Sequence, residues 1–128
     1  MQESNKEIVR KVNQGFLDAN IDSILEHFAD DITWNMIGHR SASGKDDIRA
    51  WLGDMKECEP PKFTEDILIA EGDTAICSGD MTMTDKEGAT SEWSYCDIYR
   101  FSDGKITELR SFLTRTDQSA DEKRSAGA

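Results

Sequence analysis

The chain has 128 residues, the length of one domain, and 37% of them are hydrophobic and 32% charged. Its net charge of −11 repels phosphate backbones and anionic lipid heads, so neither nucleic acid nor a membrane is expected as a partner. No apolar run reaches the ~20 residues that cross a bilayer. The polar, acidic start lacks the apolar core of a signal peptide. We therefore expect a cytoplasmic protein.

The cysteines and histidines show no metal-binding spacing. Cys58, Cys77 and Cys96 are far apart and form no C-x-x-C pair, and only His27 and His39 accompany them. We expect no metal site and no cofactor.

The N-terminal part of the chain predicts two helices. Apolar residues recur at helical spacing over roughly residues 4–19, and a shorter stripe follows over residues 21–28. Asn20 or Asp22 is the expected N-cap of the second helix.

A third helix is marked by its ends. Ser43 is the expected cap, Asp46 and Asp47 complement the positive end of the helix dipole, and Pro60-Pro61 prevents continuation. The buried face of this helix comprises Ile48, Trp51, Leu52 and Met55. Between the second and third helices, residues 32–37 predict a short strand.

After the prolines, the pattern predicts four strands joined by short connections that contain Gly and Asp, which are hairpin signals. The strands span residues 63–70, 74–84, 91–101 and 105–116. Helices followed by an antiparallel meander are typical of α+β proteins with the helices on one face of the sheet. We predict one domain over residues 1–116, in which three helices pack on a strongly curved sheet. A flexible polar tail is expected over residues 117–128.

The strand at 91–101 carries apolar residues on both faces. One side holds Trp93, Tyr95, Asp97, Tyr99 and Phe101, and the other side holds Cys96 and Ile98. A half-buried antiparallel strand is ordinarily polar on one side. Helices on the concave side and a second copy of the chain on the convex side would cover both faces, so we predict a homodimer through the convex face.

The segment from Tyr95 to Ile106 resembles the penultimate hairpin of the nuclear-transport-factor-2-like superfamily, particularly its SnoaL-like polyketide-cyclase and ketosteroid-isomerase branches. It has the order Asp, apolar residue, aromatic residue and Arg, followed by Asp-Gly-Lys-Ile. Residues 28–34 are similar to the family's end of helix two and first strand, and residues 38–48 to its loop into helix three. The resemblance covers residues 8–114. It implies a cone-shaped sheet closed by helices around a small-molecule pocket.

The resemblance also implies which side chains face the pocket. Tyr95 and Asp97 would do so from one strand, and Leu109, Ser111 and Leu113 from the last strand. We add Trp51 and Met55 of the third helix as candidate ligand contacts, which would otherwise be core residues.

Two orientations stay open. The first strand offers Trp34 and Met36, but a slip of one residue would turn Asn35 and Ile37 inward instead. For the strand at 74–84 there are two candidate sets of inward residues. These are Ser78, Asp80 and Thr82, or Cys77, Gly79 and Met81.

Asp97 is the candidate catalytic residue because it is a carboxylate on a largely aromatic face. A buried carboxylate without a partner is costly, so such a group either becomes protonated or finds a donor. One hypothesis is a structural hydrogen bond or ion pair, for example to a tyrosine hydroxyl. The other is a pocket carboxyl that binds a carbonyl, enol or hydroxyl, or transfers a proton to it.

Departures from the family restrict the chemistry that the resemblance implies. The second oxyanion donor of ketosteroid isomerases would fall on Val12 and their base near Trp34 or Asn35, which cannot act in these roles. SnoaL-type cyclases often continue the Gly-Lys-Ile turn with Glu-His-Trp-Asp, whereas this chain has Glu-Leu-Arg-Ser at residues 108–111. An arginine of epoxide hydrolases is replaced by Tyr95. Asp97 thus stands without its usual partners.

Three functional hypotheses follow. The first is a pocket protein that binds a mostly apolar carbonyl or polycyclic compound and supports isomerisation, cyclisation or hydration without metal or cofactor. The second is a non-catalytic ligand-binding or dimerisation module of the same fold. The third is a structural domain whose pocket is filled by side chains.

Overall fold

Two helices, two strands and a third helix make up the first part of the described chain, and strands alone follow them. The computed structural model describes residues 4–55 and 59–117. The helices are α1 (Asn5–Leu17), α2 (Ile21–Leu25) and α3 (Lys45–Met55). The strands are β1 (Phe28–Met36), β2 (Arg40–Ser43), β3 (Lys62–Phe63), β4 (Ile67–Glu71), β5 (Thr74–Thr84), β6 (Thr90–Ser102) and β7 (Lys105–Arg115).

Polar side chains fix where the helices begin. The Ser4 side chain accepts a hydrogen bond from the Glu7 backbone N–H at the start of α1, and Asn20 does the same for α2 through Ser23. At α3 the bond runs the other way, because the Ser43 backbone N–H donates to the Asp47 carboxylate at 3.1 Å. Ser43 itself is the last residue of β2.

The sheet is mixed and has the order β2-β1-β7-β6-β5-β3, while β4 pairs with β5. Among the described strand pairs, that of β1 with β7 is the parallel one. It joins the first strand of the chain to the last strand of the meander. The remaining described pairs are antiparallel. The predicted class, an α+β fold with helices on a curved sheet, is confirmed.

Three predicted boundaries were wrong. The expected strand at 63–70 is interrupted, giving β3 and β4, and the expected loop into the third helix contains β2. The interruption comes from a close backbone approach: a Cβ atom on Gly79 would meet the carbonyl oxygen of Thr64 at 2.2 Å. Here the backbone N–H of Asp80 donates to the Thr64 hydroxyl at 3.1 Å, while the Thr64 N–H still donates to the Asp80 carbonyl at 2.9 Å. Phe28, placed at the end of the second helical stripe, begins β1.

The two faces of the sheet differ in what covers them. The helix-covered face contributes residues such as Ala75, Cys77 and Tyr99 to a buried core with Val9, Val12 and Ile48 of the helices. The outer face carries the alternate side chains of the same strands. Within residues 4–55 and 59–117, no helix combines the length and apolar character needed to cross a membrane.

Candidate functional site

A cavity of about 490 Å³ lies between the helices and the helix-covered face of the sheet. Its inner end is buried and its mouth is exposed. The buried lining residues are Asn13, Ile24, Leu52, Trp34, Tyr95, Leu109 and Ser111. The exposed lining residues, which mark the mouth, are Glu59, Pro60, Asp85, Ala89, Thr90 and Arg115.

The sheet wall of the cavity is built from three rows of cross-strand partners. The central row runs Cys77, Asp97, Ser111 and Met36 across β5, β6, β7 and β1. One neighbouring row is Ala75, Tyr99, Leu109 and Trp34, and the other is Gly79, Tyr95 and Leu113. Because side chains two residues apart on a strand share a face, these rows place Asp97 in the middle of the wall.

The structure settles both open orientations. Trp34 is buried and lines the cavity together with Met36, while Asn35 is exposed. On β5, buried Cys77 and Gly79 lie on the helix-covered face.

Most of the predicted site residues come together in one place. Trp34, Met36, Tyr95, Asp97, Leu109, Ser111 and Leu113 all line the cavity. Trp51 does not: the centroid of its ring lies 4.4 Å from that of Trp34, and the Arg40 guanidinium lies 4.2 Å from the centre of the Trp51 ring. Trp51 therefore supports the cavity wall from behind. The side chain of Met55 lies outside the described part of the structure.

Asp97 is the one carboxyl on the buried part of the described wall. Burial raises its pKa to about 6, and a hydrogen bond from the Ser111 side chain opposes that rise. Asp97 is half-buried rather than sealed, because its remaining surface faces the cavity. A carboxyl with this pKa holds a proton in roughly a tenth of molecules at pH 7, so both protonation states are accessible.

Ser111 is itself held by Trp34. The indole Nε1–H donates to Ser111 Oγ at 2.9 Å, and both side chains are buried. The Trp34 ring is in turn fixed by edge contacts with Phe16 and Phe28, at centroid distances of 5.8 and 6.5 Å. The structural partner of Asp97 is thus a serine, and the tyrosine partner considered from the sequence is not found.

The Tyr95 hydroxyl is engaged elsewhere. It donates to the backbone carbonyl of Thr64 and lies 3.5 Å from Cys77 Sγ. Since its only proton goes to Thr64, the Cys77 thiol is the donor in the second contact. Burial raises the pKa of Tyr95 far above its ordinary value, so its ring serves as a wall and its hydroxyl as a structural group.

Sequence reasoning missed the helical side of the cavity. Asn13 and Phe16 of α1 line it, as do Ile21 and Ile24. Asn13 was detectable, because it is a polar residue on the apolar stripe of α1; its Nδ2 donates to Glu65 Oε2 at 3.2 Å and to Cys77 Sγ at 3.7 Å. Within residues 4–55 and 59–117 we find no group of three or more His, Cys, Asp or Glu that could hold a metal ion.

The fold and cavity define a pocket protein built on a mixed sheet and three helices. The model of the SnoaL-like domain matches residues 9–109, and the chain belongs to this family within the NTF2-like superfamily. No curated protein matches the sequence.

Solved structures share the fold. An NTF2-like protein of unknown function from Cytophaga hutchinsonii is 28% identical, with a TM-score of 0.68 over 87% of this chain and 100% of that one. TerC, co-crystallised with polyporic acid, is 20% identical, with a TM-score of 0.76 over 84% and 89%. An LEH-like epoxide hydrolase from M. tuberculosis is 15% identical, with a TM-score of 0.76 over 84% and 80%.

Proposed function

We propose that the protein binds a mostly apolar carbonyl or polycyclic compound in the cavity, with Asp97 as its acid/base or hydrogen-bonding group. The observation that carries this proposal is a single desolvated carboxyl in a cavity of about 490 Å³ with otherwise mainly apolar inner walls. A cavity of this volume suits a small organic ligand. It also argues against the third hypothesis, in which side chains fill the pocket.

The chemistry follows from the two states of Asp97. When protonated, the carboxyl donates a hydrogen bond to a carbonyl oxygen and stabilises the charge that develops there on enolisation. When ionised, it accepts a proton from an enol or from a carbon next to a carbonyl. Tyr95 does not share this role, because its hydroxyl proton is held by the Thr64 carbonyl. Isomerisation and cyclisation both use such proton transfers.

The relatives support this class of ligand without identifying the compound. The solved structure of TerC contains polyporic acid, and the relative from M. tuberculosis is described as an epoxide hydrolase. At 20% and 15% identity they share the fold with this chain, so the ligand class rests on the cavity itself.

The test uses polyporic acid and a panel of neutral cyclic ketones with one to three rings, including 1-tetralone. Calorimetry measures binding, and NMR follows exchange of the ketone α-hydrogens in D₂O. We expect at least one compound to bind and to exchange faster with the protein than without it. Asp97→Asn should retain binding and lose the exchange. Asp31→Asn, which removes an exposed carboxylate of β1, is the matched control.

The outcomes separate the hypotheses. Binding without exchange would favour the second hypothesis, a non-catalytic ligand-binding module. Absence of binding across the whole panel would contradict the proposed ligand class. Exchange that survives in Asp97→Asn would remove Asp97 from the reaction.

We also propose that the outer face binds a second copy of the chain. Two cross-strand rows meet there: Ile67, Ser78, Cys96 and Phe112 form one, and Ile69, Ile76, Ile98 and Arg110 form the other. Ile67 and Ile69 are 50% and 56% exposed. Each row carries three apolar residues across its four strands, and an exposed apolar patch of this kind is a feature of self-association surfaces.

A further inference from the structure

Asp97 receives a hydrogen bond from Ser111, its neighbour in the wall of the cavity. We propose that Trp34, Ser111 and Asp97 form a directed hydrogen-bond relay, in which Ser111 is a positioning residue that holds one carboxyl oxygen of Asp97 and leaves the other to the ligand. The inference rests on the proposed function of Asp97, and it assigns roles to two further residues of the same site.

The direction of the relay follows from its donors. An indole nitrogen can only donate, so Ser111 Oγ accepts the hydrogen bond from Trp34 Nε1 at 2.9 Å. The single hydroxyl proton of Ser111 is then available to the carboxylate that faces it across the strand pair. Without the indole, the hydroxyl would be free to rotate and to present a lone pair to Asp97 instead.

The relay is also rigid. Ser111 is 3% exposed and Trp34 is 4% exposed. Trp34 packs between Phe16, Phe28 and Trp51, so its indole N–H has little freedom to turn away. In the parallel pairing of β1 with β7, Ser111 is the partner of Met36 and therefore lies diagonally opposite Trp34 on the same face. Because Ser111 is buried and its hydroxyl is held by Trp34, it keeps the Asp97 carboxyl within the narrow range of geometries that proton transfer needs.

The other ionisable groups nearest Asp97 lie on β5 and β6. Cys77 on β5 and Tyr95 and Tyr99 on β6 lie on the same face, and burial raises the pKa of all three, so they stay neutral near pH 6. Cys96 is on the outer face and its pKa is also raised by burial.

Charged groups lie further out. Glu65 reaches the cluster through Asn13 and Cys77, and it is paired with Arg10 at 3.2 Å. Glu59, Asp85 and Arg115 line the exposed mouth of the cavity. Of the described neighbours, Ser111 is therefore the group through which a change in hydrogen bonding reaches Asp97.

The test measures the pKa of Asp97 from its side-chain carboxyl carbon by NMR titration, with Asp97→Asn to assign the signal. Ser111→Ala should raise the pKa of Asp97 by roughly one pH unit, because the donor to the carboxylate is lost. Ser111→Thr keeps the hydroxyl and should leave the pKa close to the wild-type value. Trp34→Phe should raise it by less than Ser111→Ala does.

The relay makes a second, stricter prediction. Because Trp34 acts through Ser111, the double variant Trp34→Phe/Ser111→Ala should show the same pKa for Asp97 as Ser111→Ala alone. Trp93→Phe is the matched control, since it removes an indole of β6 whose Nε1–H donates to Ser91 Oγ at 2.8 Å and lies outside the relay. It should leave the pKa of Asp97 unchanged.

An unchanged pKa in Ser111→Ala, or additive effects in the double variant, would overturn the relay. If Ser111→Ala fails to fold, Trp34→Phe against Trp93→Phe decides the question, because only the first should move the pKa of Asp97. These measurements of the Asp97 pKa do not require the protein to turn over a substrate. A relay that behaves as predicted while Asp97→Asn keeps full ketone exchange would refute the proposed function and leave the relay standing.

Discussion

Asp97 on β6 and Ser111 on β7 are direct cross-strand partners on the helix-covered face of the sheet. The pair places a carboxyl in a mainly apolar cavity with a serine hydroxyl as its only described hydrogen-bond donor. One hydroxyl only partly offsets the loss of water around the carboxylate. The ionised carboxylate therefore destabilises the fold relative to an uncharged side chain at this position.

The stability of the protein should depend on pH through Asp97. Its folded-state pKa is about 6, against ~3.9 for an unperturbed aspartate. Between these values the folded protein binds more protons than the unfolded chain, so the free energy of unfolding falls as pH rises through this window. Above about pH 7 the loss is complete and amounts to about 3 kcal/mol.

Asp97→Asn removes this loss. The variant should unfold at a higher urea concentration than the wild type at pH 7, and the difference should disappear near pH 4. Asp31→Asn controls for the change in net charge. A less stable Asp97→Asn at pH 7 with intact structure would show that the carboxylate is well paired.

Gly79 should not tolerate a side chain. Gly79→Ala would place a methyl group 2.2 Å from the Thr64 carbonyl oxygen, which belongs to the backbone and cannot move aside alone. We expect a loss of about 3 kcal/mol in the free energy of unfolding. Gly53→Ala is the control: nothing lies within 4 Å of its Cβ in α3, and it should stabilise by about 0.5–1 kcal/mol. Equal effects of the two substitutions would contradict the close approach.

Leu113→Trp should reduce the cavity. Leu113 is half-buried and lines it beside Tyr95, so a larger ring would occupy space otherwise open to a ligand. We predict weaker binding of an apolar dye such as Nile red, by roughly tenfold, with thermal stability near that of the wild type. Leu17→Trp on the exposed side of α1 is the control. Undiminished dye binding in Leu113→Trp would place the dye outside this cavity.

Ile69→Lys should weaken self-association. The residue is 56% exposed on the outer face, and a lysine there would put a charge into the proposed contact. Light scattering at micromolar concentration should give a dimer mass for the wild type and a monomer mass for the variant. Leu17→Lys, an exposed apolar residue of α1, should remain dimeric. A monomeric wild type would refute the dimer.

The order of elements was predictable because it depends on local signals. Residues 74–84 form a run without Pro that is flanked by turn residues at Gly72-Asp73 and Asp85, and β5 has these bounds. The prediction of one continuous strand over residues 63–70 was wrong because the interruption is caused by Gly79, which is distant in sequence. Its contact with Thr64 leaves no local signal in the sequence. The sequence did not predict β2 because this strand has only four residues and depends on its pairing with β1.

The site was predictable on the sheet and not on the helices. Alternation along β6 and β7 places Asp97, Ser111 and Leu113 on one face once the register is known. Phe16 and Ile24 could not be separated from core residues by periodicity, because a helix buries the same stripe against a cavity as against a packed core. The bond between Trp34 and Ser111 depends on the parallel pairing of β1 with β7, which joins residues 77 positions apart.

The most direct test of the account is the pKa of the Asp97 carboxyl in the unmodified protein, measured by carbon-detected NMR titration with Asp97→Asn to assign the signal. We predict a value of about 6, as burial in the cavity requires. A value at or below ~3.9 would mean that the carboxyl is solvated or strongly paired, and would contradict its role as the acid/base group of an apolar pocket.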